Sequence, residues 1–378
     1  MKRLKTLLCL FCFCLAGPAA AALPVPPAPT IEARAWLLVD VQSGQPLAAR
    51  NPDARVEPAS LTKLMTAYIA FSAIRDGRLA LNQPLVVSEK AWRAEGSRMF
   101  LDPKKPAMVE DLLKGMIVQS GNDACIVLAE AIAGSEESFA ALMNQTAKRL
   151  GMGQTHFVNA TGLPHPQHYS TARDLARLTA QLIREFPEFY KLYSMKEYAY
   201  NGITQPNRNR LLWLDPNVDG VKTGHTESAG YCLIASSQRD QRRLLSVVVG
   251  TSSDTARAME SQKLLNYGFQ FFETARLYNA NQAVARIRLY KGSENEVHAG
   301  FLHDFFITVP RGTAKRVKAE LHFINPMLAP VSRGQKVANL RLSLDGQTLG
   351  DFPLVALQGV GVANVIGRGW DSLLLMFK

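Results

Sequence analysis

The pattern of apolar and polar positions divides the chain into stretches of different period. Residues 35–41 and 46–50 read as two strands joined across Gln42-Ser43-Gly44-Gln45, which predicts an opening hairpin. From 60 to 75, Leu61, Leu64, Met65, Tyr68, Phe71 and Ile74 recur at three- and four-residue steps, the spacing of one face of an amphipathic helix. Helical spacing continues over 109–118, 123–133, 136–150 behind the candidate N-cap Ser135, and 171–184, where Asp174 falls in the first turn. From Val218 the texture becomes that of strands, at 218–222, 230–236 and 244–250, closed by a helix from about 254 to 274. Strands drawn from both ends of a segment with a helical middle predict an α+β fold: an antiparallel sheet flanked by helices, a helical second lobe, and a cleft between them.

Beyond Leu277 the pattern is β throughout, with short strands at 284–289, 305–309, 317–323, 337–344 and 352–357 and a turn at Asp345-Gly346. This predicts a separate small β-sandwich. It holds no nucleophile–base pair, so its expected role is support or spacing. The first 22 residues have a basic start at Lys2, Arg3 and Lys5, an apolar run over 7–15, and Ala20 and Ala22 placed for cleavage, which is the pattern of a secretory leader. The last 16 put Ile366, Trp370, Leu373, Leu374 and Phe377 on one helical face, too short to span a bilayer and suited to lie in its interface. The expected organisation is a signal peptide over 1–22, a Pro-rich linker over 23–34, an α+β domain over 35–277, a β-domain over 278–362 and an amphipathic membrane-anchor tail over 363–378.

Charge and cysteine usage narrow the choices. The net charge is +11, of which the leader holds three, and no run of basic residues interleaves with aromatics. Nucleic acid is therefore not expected as a partner. Cys9, Cys12 and Cys14 leave with the leader, and Cys125 and Cys232 are expected as unpaired buried thiols. His165 and His168 form an H-x-x-H in a Pro-rich segment without a third ligand at a usual spacing, so they read as exposed loop residues and no metal site is expected. No phosphate-cradling glycine loop occurs. Glu110–Asp111 and Glu136–Glu137 read as solvated helix starts, and Asp174 as either a cap or a wall-ordering carboxylate.

The candidate chemistry lies in Ser60-Leu-Thr-Lys63, in which Ser60 is the one serine of the chain followed three places later by lysine. Both fall on the first turn of a predicted helix and share a face. A hydroxyl is a poor nucleophile until a base takes its proton, and an ammonium cannot be that base. Lys63 must then be held partly neutral by burial and a neighbouring cation, while the helix start directs N–H groups at a developing oxyanion. Ser120-Gly121-Asn122 stands in a turn between two predicted helices, and Lys222-Thr223-Gly224 ends a predicted strand where Gly224 lets a ligand approach the backbone. S-x-x-K, S-D-N and K-T-G in that order mark penicillin-binding proteins and class A β-lactamases, and here the middle element reads S-G-N.

With Gly96-Ser-Arg-Met-Phe-Leu101, Val118-Gln-Ser-Gly-Asn-Asp-Ala-Cys125, Ser170-Thr-Ala-Arg-Asp174, Asn207-Arg-Asn209 and Asp219-Gly-Val-Lys-Thr-Gly-His-Thr226, the sequence resembles the D-alanyl-D-alanine carboxypeptidases of the low-molecular-mass penicillin-binding protein type 5/6 family, over essentially the whole mature chain. The resemblance implies a penicillin-binding/β-lactamase-like transpeptidase fold followed by a small all-β domain. It implies a serine peptidase that removes the last D-alanine from peptidoglycan stem peptides ending in D-Ala-D-Ala, with β-lactams as covalent inhibitors and no cofactor. It further implies Ser60 as nucleophile, Lys63 as general base, Ser120 as proton relay and Asn122 as the group holding the substrate amide. Lys222, Thr223 and Arg257 would gather the terminal carboxylate beside Gly224, and the N–H groups of Ser60 and His225 would form the oxyanion hole. The implied location is the periplasm, on the outer face of the cytoplasmic membrane.

Departures from the family are a short stretch between Trp213 and Asp219 and a short, less aromatic tail. The pair Ser97-Arg98 resembles the DD-endopeptidase branch. A β-lactamase would need a carboxylate for deacylating water, and the E-x-x-x-N match from Glu197 to Asn201 alternates like a strand, so slow penicillin release is expected. A non-catalytic peptidoglycan-binding or β-lactam-sensing protein is a further alternative, opposed by the intact Ser60/Lys63 pair.

Overall fold

Strand β1 (Ala35–Asp40) is apolar without interruption until its last residue because both of its faces are covered. Successive side chains of a strand point to opposite sides, so Ala35, Leu37 and Val39 enter one core while Trp36 and Leu38 enter another. A computed structural model, describing residues 25–323, 326–364 and 371, places β1 beside β2 (Pro46–Arg50), the predicted hairpin partner. The other sheet strands are β3 (Val218–Thr226), β4 (Gly230–Arg239) and β5 (Arg242–Thr251). The order is β2-β1-β5-β4-β3, antiparallel throughout. One core lies between this sheet and a helical lobe of α1 (Lys63–Arg75), α2 (Asn122–Ala133), α3 (Glu136–Arg149) and α4 (Ala172–Glu185). On the other side the sheet packs against α5 (Asp254–Phe271).

Helix α1 departs from the predicted amphipathic stripe. It is buried nearly all round, because Thr66, Ala67, Ala70 and Ala73 are small enough for neighbours to close over the side opposite Leu64, Tyr68 and Phe71. Ser60 lies in a 3₁₀ turn, Ala59–Thr62, that leads into α1 without a side-chain cap. The helix predicted over 109–118 is α only for Val109–Lys114. It then widens into a π turn, Gly115–Gln119, that ends on Ser120, and such turns recur at functional sites. Ser135 and Thr171 cap α3 and α4, their side chains accepting from the N–H groups of Ser138 and Asp174.

The helix predicted to 274 stops at Phe271. The chain runs straight into β6 (Phe272–Tyr278), with no glycine or proline to mark the change, because β6 finds a partner in β9 (Phe305–Pro310). The remaining strands are β7 (Ala283–Tyr290), β8 (Glu296–Gly300), β10 (Val317–Phe323), β11 (Met327–Leu328), β12 (Lys336–Leu344) and β13 (Gln347–Ala356). They form a six-stranded sheet in the order β10-β12-β13-β8-β7-β11, sharing one core with the β6/β9 pair.

The two parts of the chain meet at Asp40, fully buried at the end of β1. Arg242 Nε lies 3.0 Å from Asp40 Oδ2 and 2.8 Å from Thr274 Oγ1, while its Nη1 donates to the carbonyls of Gly268 and Phe272 at 3.0 and 2.7 Å. Ser43 and Thr308 join across the same seam, their hydroxyl oxygens 2.7 Å apart. The predicted leader lies outside the described residues, as does the tail apart from Ala363, Asn364 and Asp371. Among the described residues no helix is long and apolar enough to cross a membrane.

Candidate active site

The 3₁₀ turn and the first residue of α1 bring Ser60 and Lys63 together, as the three-residue spacing predicts. Lys63 Nζ lies 3.1 Å from Ser60 Oγ and donates to the Thr161 carbonyl at 2.6 Å. The lysine is 1% exposed. Burial, with a contribution from Arg208, lowers its pKa from 10.5 to about 8, against the pull of Cys125 and Asp123. A substantial fraction of this amine is therefore neutral near pH 8 and able to accept a proton from the hydroxyl beside it.

The S-G-N turn supplies a second serine and lysine. Ser120 adopts left-handed backbone angles, φ 62° and ψ 34°, at the end of the π turn. A residue with a side chain is held there at a cost of about 1–3 kcal/mol, a feature that clusters at functional sites. Lys222 Nζ donates to Ser120 Oγ at 3.0 Å. Lys222 is 3% exposed, and burial, Lys63 and Arg208 together hold its pKa well below 10.5. Asn122 donates from Nδ2 to the Glu95 carbonyl at 2.6 Å, and its buried Oδ1 has no hydrogen-bond partner among the described residues. A buried acceptor without a donor is costly, which fits an atom waiting for an N–H.

Strand β3 runs directly over the turn that carries Ser60. A Cβ at Gly224 would sit 3.1 Å from the Pro58 carbonyl oxygen and 3.3 Å from Ser60 N, so a larger residue would crowd the nucleophile's own N–H. Arg257, 6% exposed on α5, donates to the Gly224 carbonyl at 3.2 Å. These residues line a cleft of about 380 Å³ with Ser60, Gly96, Ser97, Ser120, Arg208 and Thr223; His225 and Tyr231 complete the wall, their rings 4.0 Å apart. Among the described residues the lining has two arginines and no carboxylate, a setting for an anionic ligand end. All the predicted site residues thus gather in one place.

Other groups gain roles that sequence reasoning did not assign. Arg208 donates to Ser97 Oγ at 2.8 Å and closes the rim; only its place within Asn207-Arg-Asn209 pointed to it. The Thr161 carbonyl that holds Lys63 is a main-chain atom and carries no sequence signal. Asp123 accepts from Met99 N and Leu101 N and so ties the 96–101 loop to the S-G-N turn. Glu136 and Asp111, read as solvated, instead accept from Ala160 N and the Tyr198 hydroxyl. Asp174 is not the helix cap: it accepts from Gln154 N and Thr155 Oγ1, ordering the adjoining loop.

Cys125 and Cys232 are free and buried, and burial raises the Cys125 thiol to about 12, so it is inert packing at neutral pH. Glu197 lies exposed on a hairpin strand, Glu197–Tyr200, away from the cleft lining. His165 is exposed as expected, but His168 is 3% exposed and engaged by Thr62, a correction to its reading as a loop-surface residue. Among the described residues no group of three or more His, Cys, Asp or Glu is placed to hold a metal ion.

A serine and a partly neutral lysine in a sheltered cleft, opposed by a second serine–lysine pair across a sheet-and-helix seam, define a serine acyl-transfer enzyme of the penicillin-recognising class. Comparison with known proteins agrees. A family model described as D-alanyl-D-alanine carboxypeptidase matches residues 22–253, and one described as penicillin-binding protein 5, C-terminal domain, matches 272–361. The D-alanyl-D-alanine carboxypeptidase DacC of Escherichia coli K12 is 43% identical over 375 residues, which cover 97% of this chain and 94% of that one. The crystal structure of penicillin-binding protein 5 from Haemophilus influenzae superimposes with a TM-score of 0.84 at 41% identity, covering 89% of this chain and 99% of that one. Penicillin-binding protein D2 from Listeria monocytogenes, in its ampicillin-bound form, matches 65% of this chain and 100% of its own with a TM-score of 0.60 and 32% identity. The chain belongs to the D-alanyl-D-alanine carboxypeptidase family. It is a serine-type D-Ala-D-Ala carboxypeptidase and a penicillin-binding protein.

Proposed function

We propose that Ser60 opens the amide between the two terminal D-alanines of a peptidoglycan stem peptide. Neutral Lys63 takes the Ser60 proton as Oγ bonds to the carbonyl carbon, and the N–H groups of Ser60 and His225 receive the oxyanion. The C–N bond then breaks, and the proton that Lys63 took passes through Ser120, which Lys222 orients, to the departing D-alanine nitrogen, leaving Lys63 neutral again. Arg257 and Thr223, with Lys222 behind them, gather the carboxylate of the leaving residue, and Asn122 Oδ1 accepts from the substrate amide. Water next attacks the Ser60 ester, giving a proton to Lys63; the acyl C–Oγ bond breaks, the shortened peptide leaves as its carboxylic acid, and Lys63 returns the proton to Ser60 Oγ.

The observation that carries this reading is the 3.1 Å approach of a buried, easily neutralised Lys63 to Ser60. A β-lactam would acylate the same Ser60, and slow release is expected because among the described residues the cleft lining holds no carboxylate to activate water. The leader pattern over 1–22 and the amphipathic pattern over 363–378 support a location on the outer face of the cytoplasmic membrane, facing the substrate. Release of free D-alanine from a D-Ala-D-Ala peptide tests the mechanism. Ser60→Ala is expected to lose on the order of 10⁴-fold or more of the rate and to gain no mass after benzylpenicillin. Equal release by both proteins overturns the assignment, and a chain ending at Asn364 that still partitions with membranes overturns the tail's role.

A further inference from the structure

The base Lys63 is held from behind by a loop, and the loop is held to the catalytic turn at three successive points. Thr66 Oγ1 donates to the Ala160 carbonyl at 2.7 Å, and Lys63 Nζ donates to the Thr161 carbonyl at 2.6 Å. The third point is His168, whose Nε2 lies 2.8 Å from Thr62 Oγ1. The same ring accepts from Val158 N–H at Nδ1, 3.2 Å away. A ring nitrogen that accepts carries no proton, so the proton is on Nε2, which donates to Thr62. His168 therefore bridges the residue just before Lys63 and the strand of chain that leads to Thr161. The approach is close: Gly162, at φ +87°, leaves room for the Ala59 carbonyl, which a Cβ there would meet at 1.8 Å.

We propose that His168 is a positioning residue, a neutral imidazole that pins the 158–162 loop to the turn bearing Ser60 and so keeps the Lys63 amine dry and within reach of the nucleophile. This rests on the reading of Lys63 as the base. The ring is suited to the task because it offers one donor and one acceptor in fixed directions and stays uncharged. Burial first, then His156, His165 and Lys63, lower its pKa to about 4. His168 also lines a cavity of about 470 Å³, together with Arg34, Arg55, Glu57 and His165.

The test is the rate of acylation by a fluorescent penicillin, measured in single turnover from about pH 6 to 10 on the whole protein. His168→Ala is expected to slow acylation on the order of 10- to 100-fold, the usual penalty for a reacting group misplaced by about an ångström. With water admitted, the Lys63 amine is easier to charge, so the alkaline rise moves to higher pH. His168→Gln, whose amide also offers one acceptor and donors, restores the rate to within about threefold. Thr62→Val removes only the hydroxyl and keeps the shape, so it carries the test if His168→Ala folds poorly. It should slow acylation like His168→Ala, and the double variant should be no slower than the worse single change. Wild-type rates in His168→Ala or in Thr62→Val, or fully additive losses, overturn the proposal. If wild type acquires no adduct on Ser60 at all, it is the reading of the base that fails instead.

Discussion

The catalytic domain and the β-domain treat charge in opposite ways. In the first, Lys63, Lys222, Arg257, Asp123 and Asp174 are all buried, and among the described residues neither lysine has an acid directly paired with it. In the second, the ion pairs Arg276–Asp304, Arg316–Asp345 and Arg341–Asp351 lie at the surface, and the core of Ile287, Leu289, Val297, Leu340, Leu342 and Leu354 is apolar. Placing an unpaired ammonium in a protein interior costs several kcal/mol. A region that carries two of them is held together by its neighbours for the sake of something other than stability. The contrast separates the part of the chain that does chemistry from the part that holds a shape.

Removing a buried cation should therefore separate activity from stability. Lys63→Met is expected to lower acylation by about 10²- to 10⁴-fold while its melting temperature stays level or rises, as followed by fluorescent-penicillin labelling and thermal unfolding of the same sample. A fall in both would place Lys63 among ordinary structural residues. The next largest effect is expected at the seam. Asp40→Ala leaves Arg242 buried without its acid and should cost about 3–5 kcal/mol of unfolding free energy, measured by denaturant titration, with the rate on a short D-Ala-D-Ala peptide unchanged in the folded protein.

Titration gives a smaller but more specific signature. Because Lys63 acts when neutral and its pKa is lowered to about 8, acylation should fall about tenfold for each pH unit below that value and level off above it, as a pH–rate profile will show. A profile flat from neutral pH upward contradicts the base assignment. Arg341→Ala, which breaks an exposed pair with Asp351 in the β-domain, should change neither melting temperature nor activity measurably.

Both the fold and the site were largely legible because each depends on local signals. The β1–β2 hairpin, the three later sheet strands and the capped helices α3 and α4 follow from period and capping residues, and Ser60/Lys63 follows from the geometry of one helical turn. What escaped depends on partners distant in the chain or lies in stretches too short to show a period. Strand β6 reads as more helix until β9 pairs with it, and β8 is a five-residue strand with a polar start, too short to show a period. His168 sits in a Pro-rich stretch that looks like surface, and Thr62, 106 residues earlier, helps to take it inside. The grip of Thr161 on Lys63 uses a carbonyl, which every residue has.

Arg242 has a mechanical meaning as well as an electrostatic one. Its guanidinium grips the end of β1, the last turns of α5 and the start of β6 at once, so the joint works as a bracket and not as a hinge. One side chain thus ties the first strand of the central sheet to the first strand of the β-domain, and losing it would loosen both sides of the seam together.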